Sequence, residues 1–76
     1  MDNTDLYLKM QAWQNRCKIY FGDKVKFTLD NHSYEGFLTG FDIESEPLKP
    51  IIRYVNQKGN RRIVALQSDV VISKTN

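Results

Sequence analysis

Cys17 and His32 are the two side chains of this sequence that could form a nucleophile and its general base. A catalytic pair of that kind needs hydrogen-bond contact between the two groups and a third group that orients the base. Cys17 belongs to a helical pattern and His32 to a turn, and no orienting group accompanies them. Each is also the single residue of its type, so neither an internal disulfide nor a Cys/His zinc set can form. The sequence therefore predicts a protein that is not an enzyme and that uses no metal or cofactor.

A second kind of chemistry is suggested by a cluster of cations in the later part of the chain. Arg53, Lys58, Arg61 and Arg62 surround a predicted hairpin, and Tyr54 lies among them. Cations of this kind contact phosphates, and a tyrosine ring can stack on a base. Charges on an exposed hairpin also prevent sheet edges from pairing with other chains. The net charge of +2 does not separate these two interpretations, and both stay open.

Length and composition indicate one small domain covering residues 1–76. A domain of this size buries only about 60% of the surface of its unfolded chain, so self-association is an expected source of additional stability. The hydrophobic content of 41% and the charged content of 26% are typical of a globular protein. The apolar runs are too short to cross a membrane, and the acidic start is unlike a signal peptide. We expect a cytoplasmic location.

The first part of the chain has the periodicity of an amphipathic helix. Leu6, Met10, Trp13 and Cys17 recur at steps of four, three and four, which places them on one stripe of a helix over about residues 4–16. The polar residues between them are expected to be more exposed: Gln11, Gln14, Asn15 and Arg16. Glycine and aspartate at 22–23 then break the chain.

From residue 24 onward the pattern alternates with a period of two, as in strands that bury one face. Residues 24–29 and the segment beginning at Tyr34 read as two strands joined by a turn at 30–33, and Gly36 in mid-strand indicates either a sharp bend or a close approach of backbone. The two prolines in 43–50 predict a loop that stays outside a central ladder. Strands are then predicted at 51–56, 61–66 and 70–73, with a corner at 67–69 and a frayed end at 74–76.

The first hairpin resembles the first motif of the Sm-like family (Sm, LSm and Hfq proteins). The residues that carry the resemblance are Gly36, Leu38, Phe41 and Asp42, preceded by Val25, Phe27, Leu29 and Asn31. The resemblance implies a mainly β fold, in which an N-terminal α-helix precedes a five-stranded, strongly bent antiparallel SH3-like barrel. It also implies cyclic homo-oligomers of five to seven subunits and binding of single-stranded RNA.

Several positions depart from the family pattern. His32 stands where the family usually has a glycine, and the hairpin is one residue shorter. Ser45 and Glu46 occupy the positions of the family's stacking residue and asparagine, although serine has no flat face and glutamate repels phosphate. The corner that usually supplies an Arg-Gly or Lys-His pair is Gln67-Ser68. We therefore expect the fold with a degraded uridine pocket, a divergence that would suit a protein of phage or mobile-element origin.

Under this resemblance the fourth strand of one subunit pairs with the fifth strand of the next. The expected interface residues are Arg62, Val64, Leu66, Val70, Val71 and Ile72. At the pore we expect RNA contacts from Asp42, Gln67 and Ser68, and auxiliary contacts from Arg61, Arg62 and Tyr54. The alternative role for Asp42 is to cap or brace the loop that follows it. On the helix, Gln11, Gln14 and Arg16 either add a polar RNA-facing surface or are ordinary exposed residues. The alternative hypothesis is a monomeric SH3- or Tudor-like barrel that binds a protein, which the acidic Glu44 and Glu46 favour.

Overall fold

The computed structural model describes residues 4–67 and 69–75, which form one helix followed by five strands. The elements are α1 (Thr4–Cys17), β1 (Lys24–Leu29), β2 (His32–Asp42), β3 (Lys49–Val55), β4 (Arg61–Ala65) and β5 (Ile72–Lys74). The predicted mainly β class, the N-terminal helix and the five-stranded antiparallel sheet are confirmed.

The strands form one sheet in the order β4-β3-β2-β1-β5, and every neighbouring pair is antiparallel. The central strand is β2, whose 11 residues pair with β1 on one side and β3 on the other. The two edges are therefore β4 and β5. Among the described residues these two strands do not pair with each other, so each presents one row of backbone groups without a strand partner.

The core lies on one face of the sheet because apolar residues alternate with polar ones along each strand. In β1 the side chains of Val25 and Phe27 are buried while their neighbours are exposed. Leu38 of β2 and Ile52 of β3 are cross-strand partners on the same face, and both are fully buried. The remaining buried core side chains are Ile19, Phe41 and Leu66.

The β1–β2 hairpin makes its turn without a glycine. Its turn consists of Asp30 and Asn31, which have φ values of 50° and 66°. Two successive left-handed residues form the type of turn whose twist matches that of the flanking strands. Aspartate and asparagine tolerate this conformation better than other side chains, so the turn closes before His32 without a glycine.

Gly36 lies where the backbones of β2 and β3 approach closely, as its position in the strand predicts. It is paired with Tyr54, and a Cβ atom built on Gly36 would lie 2.7 Å from Ile52 Cγ2 and 3.0 Å from Tyr54 Cβ. The same Cβ would also overlap the carbonyl oxygen of Arg53. A register shift between Leu38 and Gly40 then adds an irregularity to the β2–β3 ladder.

Two strand predictions require correction. Pro50 is not in a loop but in β3, paired with Phe41. Proline has no N–H to donate to the ladder, which is tolerated here because Pro50 is the second residue of β3. The Pro50 carbonyl accepts a hydrogen bond from the Leu66 N–H at 2.9 Å. The last strand begins at Ile72 rather than residue 70, and Lys74 belongs to it instead of to a frayed end. The Thr75 N–H continues the ladder by donating to the Lys24 carbonyl at 2.9 Å, whereas residue 76 lies outside the described part.

The helix requires one further correction, because Gln14 is buried rather than exposed, with 8% of its surface accessible. Its Nε2 donates to the Met10 carbonyl at 3.2 Å, and its Oε1 accepts from the Phe21 N–H at 3.2 Å. The Gln14 carbonyl also accepts a hydrogen bond from the Ile19 N–H. Gln14 therefore ties the helix to the segment that leads into β1. Within the described ranges, α1 is too short and too polar to cross a membrane.

Candidate nucleic-acid interface

A groove lies between α1, the β2–β3 loop (residues 43–48) and the chain that follows β4; we call it the helix groove. Its volume is about 450 Å³. The helix contributes Trp13 and Arg16, and the opposite wall includes Leu48 and Leu66. Gln67, one of the predicted RNA contacts, is exposed at this groove. The groove therefore combines an indole ring, a guanidinium and a side-chain amide in one concave surface.

The position of the helix follows from its apolar stripe. Met10, Trp13 and Cys17 are half-buried and pack against the core, as their spacing predicts. The indole of Trp13 contacts the Phe41 ring edge-on, with 5.2 Å between ring centroids. This contact fixes the helix over one end of the sheet, so the next helical turn places Arg16 at the groove.

Lys9 and Glu46 close one side of the helix groove. The Lys9 Nζ lies 3.0 Å from Glu46 Oε1, and both side chains are mostly exposed. An exposed pair of this kind contributes little to stability. It does neutralise Glu46, the one carboxylate among the described residues that line the groove, and this leaves the charge of Arg16 uncompensated there.

Asp42 braces the β2–β3 loop. Its Oδ1 accepts a hydrogen bond from the Glu44 N–H at 3.2 Å, and its Oδ2 accepts one from the Ser45 hydroxyl at 3.0 Å. A carboxylate with such local partners acts as an Asx-type support for the turn. Asp42 thus positions the loop that supplies Glu46 and Leu48 to the helix groove.

Arg61 and Arg62 lie at the other end of β4, on opposite faces of the sheet. Arg62 is paired with Tyr54, on the side of the core, whereas Arg61 is paired with Val55 on the outer side. Six residues of extended chain place Gln67 up to roughly 20 Å from Arg61. Gln67 lines the helix groove, whereas Tyr54 and Arg61 line a different groove. The structure therefore does not gather these predicted RNA contacts into one pocket, and Ser68 lies outside the described residues.

Tyr54 is part of an aromatic cluster. Its ring centroid is 5.0 Å from that of Tyr34 and 5.3 Å from that of Phe27. His32 extends the cluster towards the turn, at 6.4 Å from Tyr34, and its Nδ1 lies 2.8 Å from Gln57 Nε2. The half-buried Tyr54 ring is engaged by these neighbours, so its main physical role is packing.

Two candidate functional residues, Trp13 and Phe37, were not identified from the helix and strand patterns. Trp13 reads as a packing residue in the sequence, yet it also lines the helix groove. Phe37 occupies an outward position of β2 and remains 41% exposed. The signal for Phe37 was present in the sequence, because an aromatic residue stood at a polar position of the alternating pattern.

Comparison with known proteins identifies no relative. No model of a known protein family matches the chain, no curated protein matches it significantly, and no solved structure matches its fold significantly. Any family assignment therefore rests on the motif residues and on the order of the elements.

Proposed function

We propose that this chain is a subunit of an Sm-like homo-oligomeric ring that binds single-stranded RNA. The observation that supports it most is the strand order, which leaves β4 and β5 as the two edges of one sheet. Exposed apolar side chains lie at or beside both edges, since Ile63 of β4 is 71% accessible and Val71, directly before β5, is 81% accessible. Pairing β4 of one copy with β5 of the next would cover both edges at once.

The backbone pattern indicates which groups would form the joint. The Leu66 N–H donates to Pro50 and the Asn56 N–H to Asn60, each at 2.9 Å. Because bonding residues alternate along an antiparallel ladder, the N–H groups of Ile63 and Ala65 point away from β3. On β5, the Thr75 N–H bonds to β1, so by the same alternation the N–H of Ile72 points to the free edge.

The proposed contact between β4 and β5 is head-to-tail. The rotation from one subunit to the next must therefore close on itself to give a ring instead of a filament. The proposed side-chain contacts come from the predicted interface residues of β4 and of the segment through β5: Arg62, Val64, Val70, Val71 and Ile72. The side chain of Leu66 is already buried in its own subunit, with 2% accessible, so its contribution is to the shape of the corner. Ring formation also accounts for how so small a domain gains stability.

In the proposed ring, RNA binds at the helix groove. A base stacks against the exposed part of Trp13, the Gln67 amide hydrogen-bonds to a base edge, and Arg16 contacts a phosphate. These three side chains line the same groove, which is the physical support for this arrangement. Trp13 and Arg16 take over the roles of the family's usual stacking and basic residues, whose positions hold Ser45 and Gln67 here.

The test combines native mass spectrometry with RNA titration. A single cyclic species of five to seven copies at low micromolar concentration is the mass that the family resemblance leads us to expect. A fluorescent oligouridylate should bind at low salt, and the Arg16→Gln and Gln67→Ala variants should bind more weakly than a Lys18→Gln control. A ring without RNA binding would reject the RNA part alone.

A stable monomer would favour the second function, a lone SH3- or Tudor-like barrel that binds a protein. The observation that favours this second function is that the helix groove is largely apolar, with Leu48, Leu66 and Val70 among its lining residues. A groove of that composition suits an apolar peptide side chain.

A further inference from the structure

The surface opposite the core also has a defined composition, and we call it the outer sheet face. It is defined by alternate outward residues of β1 to β4: Lys24, Lys26, Glu35, Phe37, Arg53, Val55, Arg61 and Ile63. The helix groove lies elsewhere and shares none of these residues.

The register arranges these side chains so that cations alternate with apolar groups. Phe37 is paired with Lys24 on one side and Arg53 on the other, and Arg53 is paired in turn with Ile63. In the adjacent row Val55 is paired with Arg61. Since neighbouring strands are about 4.8 Å apart, each apolar side chain has a cation within reach.

The charge of the outer sheet face is strongly one-sided. Among the described outward residues named above, Glu35 is the single carboxylate, and its Oε2 lies 3.0 Å from Lys24 Nζ. Within residues 4–67 and 69–75, Lys26, Arg53 and Arg61 have no ion-pair partner. The face therefore carries uncompensated positive charge that is complementary to a polyanion.

Phe37 gives the outer sheet face an exposed aromatic residue, which a purely ionic surface lacks. The residue remains 41% exposed beside a groove of about 340 Å³, which Arg53, Val55 and Arg61 also line together with the ion-paired Glu35. An exposed aromatic ring flanked by guanidinium groups stacks on a nucleobase while the cations follow the phosphates. An apolar peptide would need a continuous apolar patch, whereas here arginines interrupt it.

We propose that the outer sheet face binds single-stranded nucleic acid, with a base stacked on Phe37 and phosphates contacting Arg53 and Arg61. This inference rests on the proposed nucleic-acid-binding function but not on ring assembly. Edge pairing uses backbone groups in the plane of the sheet, so it leaves the outward side chains free. The face is thus a second binding surface, separate from the helix groove.

The first test compares oligouridylate with an abasic oligomer that has the same number of phosphates. The wild-type protein should bind oligouridylate more tightly, and Phe37→Leu should weaken that binding roughly 5- to 100-fold while leaving abasic binding unchanged. Tyr7→Leu is the matched control, since Tyr7 is an aromatic residue of α1 that is 58% exposed. Circular dichroism melts verify that each variant is folded.

The second test uses Arg53→Gln combined with Arg61→Gln, with Lys18→Gln as the charge control. For single strands the slope of log affinity against log salt decreases in magnitude by about 0.7 for each phosphate that the protein no longer neutralises, so the slope of the double variant should be smaller by about 1.4. Phe37→Leu should leave this slope unchanged. That separation distinguishes stacking from charge attraction.

Three results would overturn the inference. If Phe37→Leu and the double arginine variant bind normally while Arg16→Gln and Gln67→Ala do not, the helix groove alone binds RNA and the proposed function stands. If the wild-type protein binds no oligonucleotide at low salt, both proposals are wrong. If polyglutamate of matched charge binds equally well with the same dependence on Phe37, the face recognises an acidic peptide instead.

Discussion

The Asp23 carboxylate joins the segment before β1 to the last strand of the sheet. Its Oδ2 accepts a hydrogen bond from the Tyr20 N–H at 2.8 Å and lies 3.4 Å from the Lys74 ammonium. The hydrogen bond from Tyr20, aided by Lys74 and opposed by partial burial, lowers the pKa of Asp23 below its ordinary value of 3.8. A single carboxylate thus links the stability of β5 to pH.

This lowered pKa predicts acid sensitivity with a defined sign. Because the folded-state pKa is the lower one, the stabilisation is complete above about pH 5 and is lost as the pH falls through the folded value. Asp23→Asn should therefore melt at a temperature that depends less on pH below about pH 4 than that of the wild type. Thermal melts across this range measure it, with Asp30→Asn in the exposed turn as the matched carboxylate control. Equal pH slopes in wild type and Asp23→Asn would contradict the assignment.

Gly36→Ala should destabilise the protein by about 1–3 kcal/mol, because the added methyl group meets the β3 backbone and must force it away. Gly40→Ala is the control on the same strand, since its Cβ would have nothing within 4 Å. Urea unfolding of the two variants gives the comparison. Similar losses at both positions would mean that glycine's conformational freedom, and not the close approach, is what β2 requires.

Gln14→Ala should lower the free energy of unfolding by about 1–2 kcal/mol, since it leaves the Phe21 N–H without its acceptor. Gln11→Ala changes the same residue type at an exposed position of α1 and should have little effect. Chemical denaturation monitored by Trp13 fluorescence measures both. Should Gln14→Ala be as stable as Gln11→Ala, the helix would not depend on this link.

Ile63→Pro should dissociate the proposed ring while leaving the monomer folded. Proline removes the N–H that points away from β3, so the bonds between β3 and β4 survive but the edge loses a donor. Ile63→Thr keeps that N–H and a β-branched side chain, and it should still assemble. Native mass spectrometry distinguishes the two variants. A Pro variant with unchanged oligomeric mass would show that the β4 edge is not the joint.

Periodicity predicted the elements because it reflects local geometry. The helix, the burial of Val25 and Leu38, and the closeness at Gly36 all follow from which side chains share a face. The errors occurred where a contact outside the element decided the outcome. Gln14 is buried by the chain that returns past it, and Pro50 joins the sheet because β2 and Leu66 engage it from both sides.

Local pattern along the chain specifies the order of elements, the alternation of buried and exposed side chains, and the residue types available for binding. Tertiary structure alone decided which of those residues meet. Gln67 shares a groove with Trp13 and Arg16, and Phe37 lies between Lys24 and Arg53, because strand order and register are long-range choices. The alternation of side chains along one strand specifies which face of the sheet each residue occupies, but it does not specify the residue beside it on the next strand. Surfaces that several strands share therefore depend on the register of the assembled sheet.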